Sequence, residues 1–157
     1  MSKIKITSGD LTGVERAALK AAKQRKLETG GYCLKGKLAQ DKILLDYNLE
    51  ENDSDSDSKR NKRNFNESDA TLILEISTVN YDNYDTIPLF GEKVKNICLG
   101  DNLEQNQDQA DQIFNWIKKN NIHNLFITGP KASHNNNVDV EQIAHDFLCH
   151  YLFIKFS

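Results

Sequence analysis

The sequence predicts an α/β fold with a mainly parallel sheet covered on both faces by helices. Three observations carry that expectation. Short apolar runs suited to buried strands recur at residues 4–7, 71–76, 94–99 and 123–130. Stretches with apolar residues at i, i+3, i+4 and i+7 alternate with them, which is the spacing of a helix face. The first and last of these runs end in glycine turns, at Gly9 and Gly129. Strand-helix alternation of this kind implies parallel pairing.

The elements follow in order. Ile4 to Thr7 reads as a buried strand. Val14, Ala17, Ala18 and Ala21 then mark a helix with a small apolar face that should lie close to the sheet. Thr12 with Glu15 three residues later has the form of a capping box. Thr29-Gly30-Gly31 is expected to end that helix and open a loop. Residues 43–49 read as a weak extended segment. Residues 51–63, "ENDSDSDSKRNKR", are polar and low in complexity, which predicts a flexible loop. "TLILEI" at 71–76 is the clearest buried strand, and 94–99 a third. Residues 109–119 read as a helix with Ala110, Ile113, Phe114 and Ile117 inward. A strand at 123–130 follows. Residues 138–149 read as a helix with Val140, Ile143, Ala144, Phe147 and Leu148 on one face. Residues 151–156 read as a final strand.

Composition sets limits. A chain of 157 residues suits one domain, 1–157, with one core. A net charge of −3 gives no general attraction to nucleic acid or an anionic membrane. No apolar run approaches the ~20 residues that span a bilayer, and no signal-peptide stretch opens the chain. Cys33, Cys98 and Cys149 are odd in number and widely spaced, which points to a reducing cytoplasm rather than a disulfide framework.

In parallel sheets ligands sit beyond the carboxyl ends of the strands. That singles out the loops at 8–13, 77–84 and 129–137. Gly9 and Gly13 allow a sharp turn that brings amides to a ligand at a helix N-terminus, and Arg16 in the first turn suits a forked contact with an oxyanion. A plain strand-to-helix turn is the competing reading, and no Walker lysine follows. "GGYCLKGK" adds Gly31, Lys35 and Gly36 as a second anion-accepting loop or a surface turn. "GPKASHNNN" offers Gly129, Lys131 and Ser133. Asp53, Asp55 and Asp57 resemble the start of a calcium loop, but Ser58 and Asn64 stand where that loop needs glycine and glutamate. His145, Cys149 and His150 lack further ligands at metal-site spacing, and Cys149 falls on an apolar face. Ser8 or Ser133 with a histidine lacks the Gly-x-Ser-x-Gly elbow of a hydrolase. No catalytic and no metal residue is assigned.

Taken together these residues resemble the putative molybdenum carrier family, a Rossmann-like set related to lysine-decarboxylase-like nucleotide-binding proteins. The family opening Ser-Gly-Gly-Gln-Thr-Gly-Val-Asp-Arg-Ala-Ala-Leu is matched by residues 8–19, and Gly-Gly-Trp-Cys-Pro-Lys-Gly-Arg by residues 30–37. Arg-Thr-x-x-Asn followed by Asp-Ser-Asp-Ala-Thr-Leu-Ile matches Arg60, Asn64 and residues 67–73, and Gly-Pro-Arg-x-Ser matches Gly129, Pro130, Lys131 and Ser133. The likeness runs in order along nearly the whole chain. Asp10 and Leu11 replace a glycine and a glutamine, and the family's Gly-Thr-rich stretch after the central strand has no counterpart in 77–92, so the resemblance is to a divergent member.

The resemblance implies a Rossmann-like three-layer domain that binds the molybdenum cofactor, a related phosphate-bearing ligand or a molybdate-like oxyanion without catalysis. It carries over Ser8, Gly9, Thr12, Gly13, Arg16, Gly31, Lys35, Gly36, Arg60, Asn64, Gly129, Lys131 and Ser133 as ligand-binding residues. Two other readings stay open: a nucleotide-processing enzyme of the lysine-decarboxylase-like type, whose Pro-Gly-Gly-x-Gly-Thr-x-x-Glu stretch is missing here, and a structural remnant without a ligand. The expected partners are a small anionic ligand and further copies of the chain, with no nucleic acid and no membrane. Family resemblance and the apolar residues Tyr84, Ile87, Leu89 and Phe90, which fit no helix face, predict a homo-oligomer. Sedimentation should therefore give a mass above 17.9 kDa; a monomer at high concentration would refute that.

Overall fold

A computed structural model describes residues 3–9, 12–33, 49–51, 57–76, 93–100, 103–131 and 139–156. The weak segment expected at 43–49 lies largely outside them, as do residues 81–90, Asp10, Lys35, Gly36 and Ser133. The strands are β1 (Lys5–Thr7), β2 (Glu28–Gly30), β3 (Tyr32–Cys33), β4 (Glu50–Glu51), β5 (Ala70–Ile76), β6 (Val94–Leu99) and β7 (Asn124–Thr128). The helices are α1 (Val14–Gln24), α2 (Asp57–Asn66), α3 (Leu103–Lys119) and α4 (Val140–Phe147).

Five strands form one parallel sheet in the order β2-β1-β7-β5-β6, and β3 and β4 pair separately. Ile6 lies opposite both Thr29 and Leu125, and Ile73 opposite both Asn96 and Thr128. This is a Rossmann-like α/β sheet, as the strand-helix alternation predicts. Alternation along the strands divides its two faces. Ile6, Leu72, Leu74, Leu125 and Ile127 join α1, α3 and α4 in the main core. Ile73 and Phe126 point the other way, toward Phe65 of α2 and Val94.

α1 is buried almost all round at its start. Ala17, Ala18 and Ala21 meet the sheet, and Leu19 packs with Cys33 and Leu49 on the other side. The helix ends earlier than the Thr29-Gly30-Gly31 signal suggests. Lys26 takes φ 61, its amide bonds Lys23 O and the Leu27 amide bonds Ala22 O at 2.9 Å, a Schellman closure. Residues 28–30 are then free to form an edge strand. Asn121 (φ 51) closes α3 in the same way.

Three further expectations need correction. Residues 57–66 of the polar segment form α2, because its buried face is polar. Residues 151–156 are not a strand: α4 runs on through a π turn (Leu148–Leu152) into a 3-10 turn (Phe153–Phe156). Leu148, Leu152 and Phe153 are buried there, since a short apolar run satisfies a helical end as readily as a strand. Third, the N-cap of α1 is Gly13, at φ 87, and Glu15 turns inward instead of completing a capping box with Thr12. α4 does have a side-chain cap: the Gln142 amide donates to Asp139 at 3.0 Å.

Gly129 shows how closely the loops pack. A Cβ there would collide with the Leu74 carbonyl oxygen and lie 2.8 Å from Val14 Cγ2. Backbone cannot yield cheaply, so Gly129→Ala should destabilise the fold by about 1–3 kcal/mol. Urea unfolding checks this; an unchanged midpoint would show that the strand end has room.

Candidate functional site

The carboxyl ends of β1 and β7 adjoin, and α1 starts between them. The Val14 amide donates to Pro130 O at 3.1 Å, which docks the first turn of α1 beside Gly129 and Lys131. Gly13 has no side chain to cover the helix end. Thr12 is buried, Arg16 is 5% exposed, and Lys131 is half-buried.

Beneath this edge lies a polar cluster. Arg60 of α2 is the largest fully buried side chain among the described residues, at 0% exposed. Its Nη1 donates to Glu15 Oε1 at 2.9 Å and its Nη2 to Asn61 Oδ1 at 2.6 Å. Glu15, 1% exposed, also accepts from the Thr128 hydroxyl at 2.7 Å. The guanidinium occupies the space a side chain at Gly9 would need. Gly9 is therefore glycine because an arginine passes over it. Asn61 Nδ2 is buried with no hydrogen-bond partner among the described residues.

The next turn is built similarly. Gly31 has φ +126, and a Cβ there would overlap the Ser8 carbonyl oxygen and approach Asn64 Oδ1 to 3.1 Å. Asn64 accepts from the Tyr32 amide at 2.8 Å and donates to Tyr32 O at 3.1 Å. The Ser8 hydroxyl donates to Ile127 O at 2.7 Å, joining β1 to β7. Farther out, Tyr32 Oη donates to Glu67 at 2.8 Å and Arg63 donates to the same carboxylate at 3.0 Å. The Tyr32 bond, then Arg63, lowers the Glu67 pKa; accepting that bond, Glu67 raises the Tyr32 pKa.

The sequence-derived residues thus fall in two adjacent groups. Ser8, Gly9, Gly31, Arg60 and Asn64 form the packed base. Gly13 lies with Gly129 and Lys131 at the rim, with Thr12 and Arg16 on either side of it along the chain. Lys35, Gly36 and Ser133 are outside the described residues. Glu15, Asn61 and Thr128 were missed. A signal for Glu15 was present: Leu19 and Ala22, four and seven residues on, make a second buried stripe on α1. Asn61 and Thr128 have no comparable signal.

The fold and this edge define a Rossmann-like protein with a glycine-bracketed loop at a helix N-terminus. The chain belongs to the circularly permutated YpsA SLOG family, whose model matches residues 6–152. It is also similar to the crystal structure of a "Putative molybdenum carrier protein" from Syntrophus aciditrophicus SB. The TM-score is 0.77 and the identity 32%, over 96% of this chain and 95% of that one. No curated protein matches the chain. No helix among the described residues is long and apolar enough to cross a membrane.

The buried pair yields a direct test. Arg60→Ala strands the Glu15 carboxylate, and Glu15→Ala strands the guanidinium, so each should cost about 3–5 kcal/mol. The double variant should lose less than the sum. Urea titrations of the three variants measure this; strictly additive losses would show that the two groups are not coupled.

Proposed function

We propose that this chain is a non-enzymatic carrier that holds a small phosphate-bearing or oxyanion ligand at the carboxyl edge of its sheet. The molybdenum cofactor or a molybdate-like anion is the ligand that family membership and the named neighbour favour. The observation that carries the reading is the start of α1. An 11-residue helix opens at the sheet edge with glycine as its cap, so its positive end meets no side chain of the cap residue. Glu15, the one acid in that first turn, is drawn down to Arg60 and Thr128. Its charge is therefore compensated before an anion arrives. Gly9 and Gly13 shape the loop, while Arg16 and Lys131 supply cations to the ligand.

Arg60 has a different part in this proposal from the one its motif suggests. Its guanidinium is committed to Glu15 and Asn61, so it supports the loop from below. Arg16 and Lys131 carry the electrostatic attraction.

Calorimetric titration with phosphate, molybdate and a phosphorylated pterin tests the proposal. Arg16→Ala and Lys131→Ala should each weaken anion binding by about ten- to hundred-fold, the worth of one charge-assisted hydrogen bond. Asp10→Gly should strengthen it if that carboxylate faces the ligand. Melting curves separate lost binding from lost fold. Wild-type affinity in both folded cation variants would make the loop a structural turn.

A further inference from the structure

The polar cluster beneath the carboxyl edge contains one group that its own contacts leave unused. Asn61 of α2 is fully buried. Its Oδ1 accepts from Arg60 Nη2 at 2.6 Å, while its Nδ2 meets no hydrogen-bond partner among the described residues. The orientation of the amide is fixed, because a guanidinium has only donors and must face the oxygen. The unused atom is therefore the nitrogen, with two N–H groups to give.

A donor withdrawn from water and given no acceptor costs stability, and few native groups are left so. Holding Arg60 does not require it, since Oδ1 alone does that. Phe65, four residues on and on the same face of α2, packs with Ile73 and Phe126. An apolar side chain at 61 would extend that layer at no such cost. The nitrogen points to an acceptor that the chain itself does not supply.

Its place and its charge say what that acceptor is. Arg60 Nη2 also lies 3.5 Å from Glu15 Oε2, so one guanidinium nitrogen separates the Asn61 amide from the first turn of α1. Thr128, which ends β7, donates to that same carboxylate oxygen at 2.7 Å. Asn61 thus stands where α2 meets both segments that frame the carrier edge. Both Glu15 oxygens are already engaged, by Arg60 and Thr128. The guanidinium draws electron density toward Oδ1, which leaves the Nδ2 protons more positive and strengthens them as donors. Such a donor suits a negatively charged oxygen with no proton of its own.

We infer that Asn61 is a ligand-contacting residue of the carrier edge, and that its Nδ2 donates to an oxygen of the bound oxyanion. The inference rests on the carrier reading proposed above. It adds a neutral donor from α2 to the cations supplied by Arg16 and Lys131, and it lets Arg60 act on the ligand through an amide while its charge stays paired with Glu15.

Molybdate and inorganic phosphate serve as probes on the full chain, by calorimetry and by nuclear magnetic resonance of the side-chain amides. Asn61→Asp keeps an oxygen for Arg60 and replaces the donor with a second oxygen. Because it also adds a charge, the neutral Asn61→Leu accompanies it. Each should weaken anion binding by about ten- to hundred-fold, with melting curves showing that the variants remain folded. In the wild type, both probes should shift the Asn61 side-chain amide protons downfield, a readout that needs no variant to fold. If Arg16→Ala weakens binding while Asn61→Leu binds as wild type does, the inference is overturned and the carrier reading stands. Unmoved Asn61 amide protons in the anion-bound wild type have the same meaning, leaving the nitrogen to a buried water. If neither anion binds the wild type, both readings fall.

Discussion

Glu15 and Arg60 form the contact on which the arrangement at the carboxyl edge depends. Two opposite charges, both withdrawn from water, join the first turn of α1 to α2 across the turn after β1. Such a pair offers little net stability, because desolvation offsets much of the attraction. It does impose geometry. The guanidinium must cross Gly9, so that position must lack a side chain. The carboxylate must reach Thr128, so β7 must end where it does. Loop, helix and strand are aligned by one pair of side chains.

The same rule extends to the second turn. Gly31, Ser8 and Asn64 meet through backbone atoms and one amide side chain. Glycines in this fold therefore have two kinds of purpose. Gly9, Gly31 and Gly129 let chain segments approach each other. Gly13 ends a helix openly. Only the second kind leaves a helix start with no side-chain cap, although all four share the appearance of an anion-binding motif in sequence.

This distinction explains how far the sequence could be read. The long strands are legible because β5 and β7 are apolar along most of their buried length and edge strand β6 keeps Ile97 and Leu99 inward. β2 and β3, with three and two residues and a glycine between them, carry too little pattern for periodicity to register. α2 escaped for the opposite reason. Its buried positions are Arg60, Asn61 and Asn64, so hydrophobic periodicity describes it as solvent-facing. In sequence Glu15 fits a local capping box, whereas its partner in the fold is 45 residues away. Family resemblance singles out Arg60 and Asn64 as ligand-binding residues where local pattern does not; in the fold both are held in internal contacts, Arg60 with Glu15 and Asn61 and Asn64 with Tyr32. What Arg60 touches was beyond reach without three dimensions.

The place of β7 in the strand order has a consequence for how the chain assembles. β7 is the last described strand, yet it lies between β1 and β5. Its link to β1 joins Ser8 and Ile127, residues 119 positions apart. During synthesis β1 and α1 emerge early and then wait for most of the chain before their central neighbour exists. Until that strand arrives, β1 with β2 and β5 with β6 are half-sheets whose inner edges, at Ile6 and Leu72, stay unpaired. Non-local closure of this kind is slow and leaves apolar edges open to other chains. Insertion of β7 is thus the step that turns two adhesive fragments into one sheet, and a chain ending before residue 124 would retain both open edges.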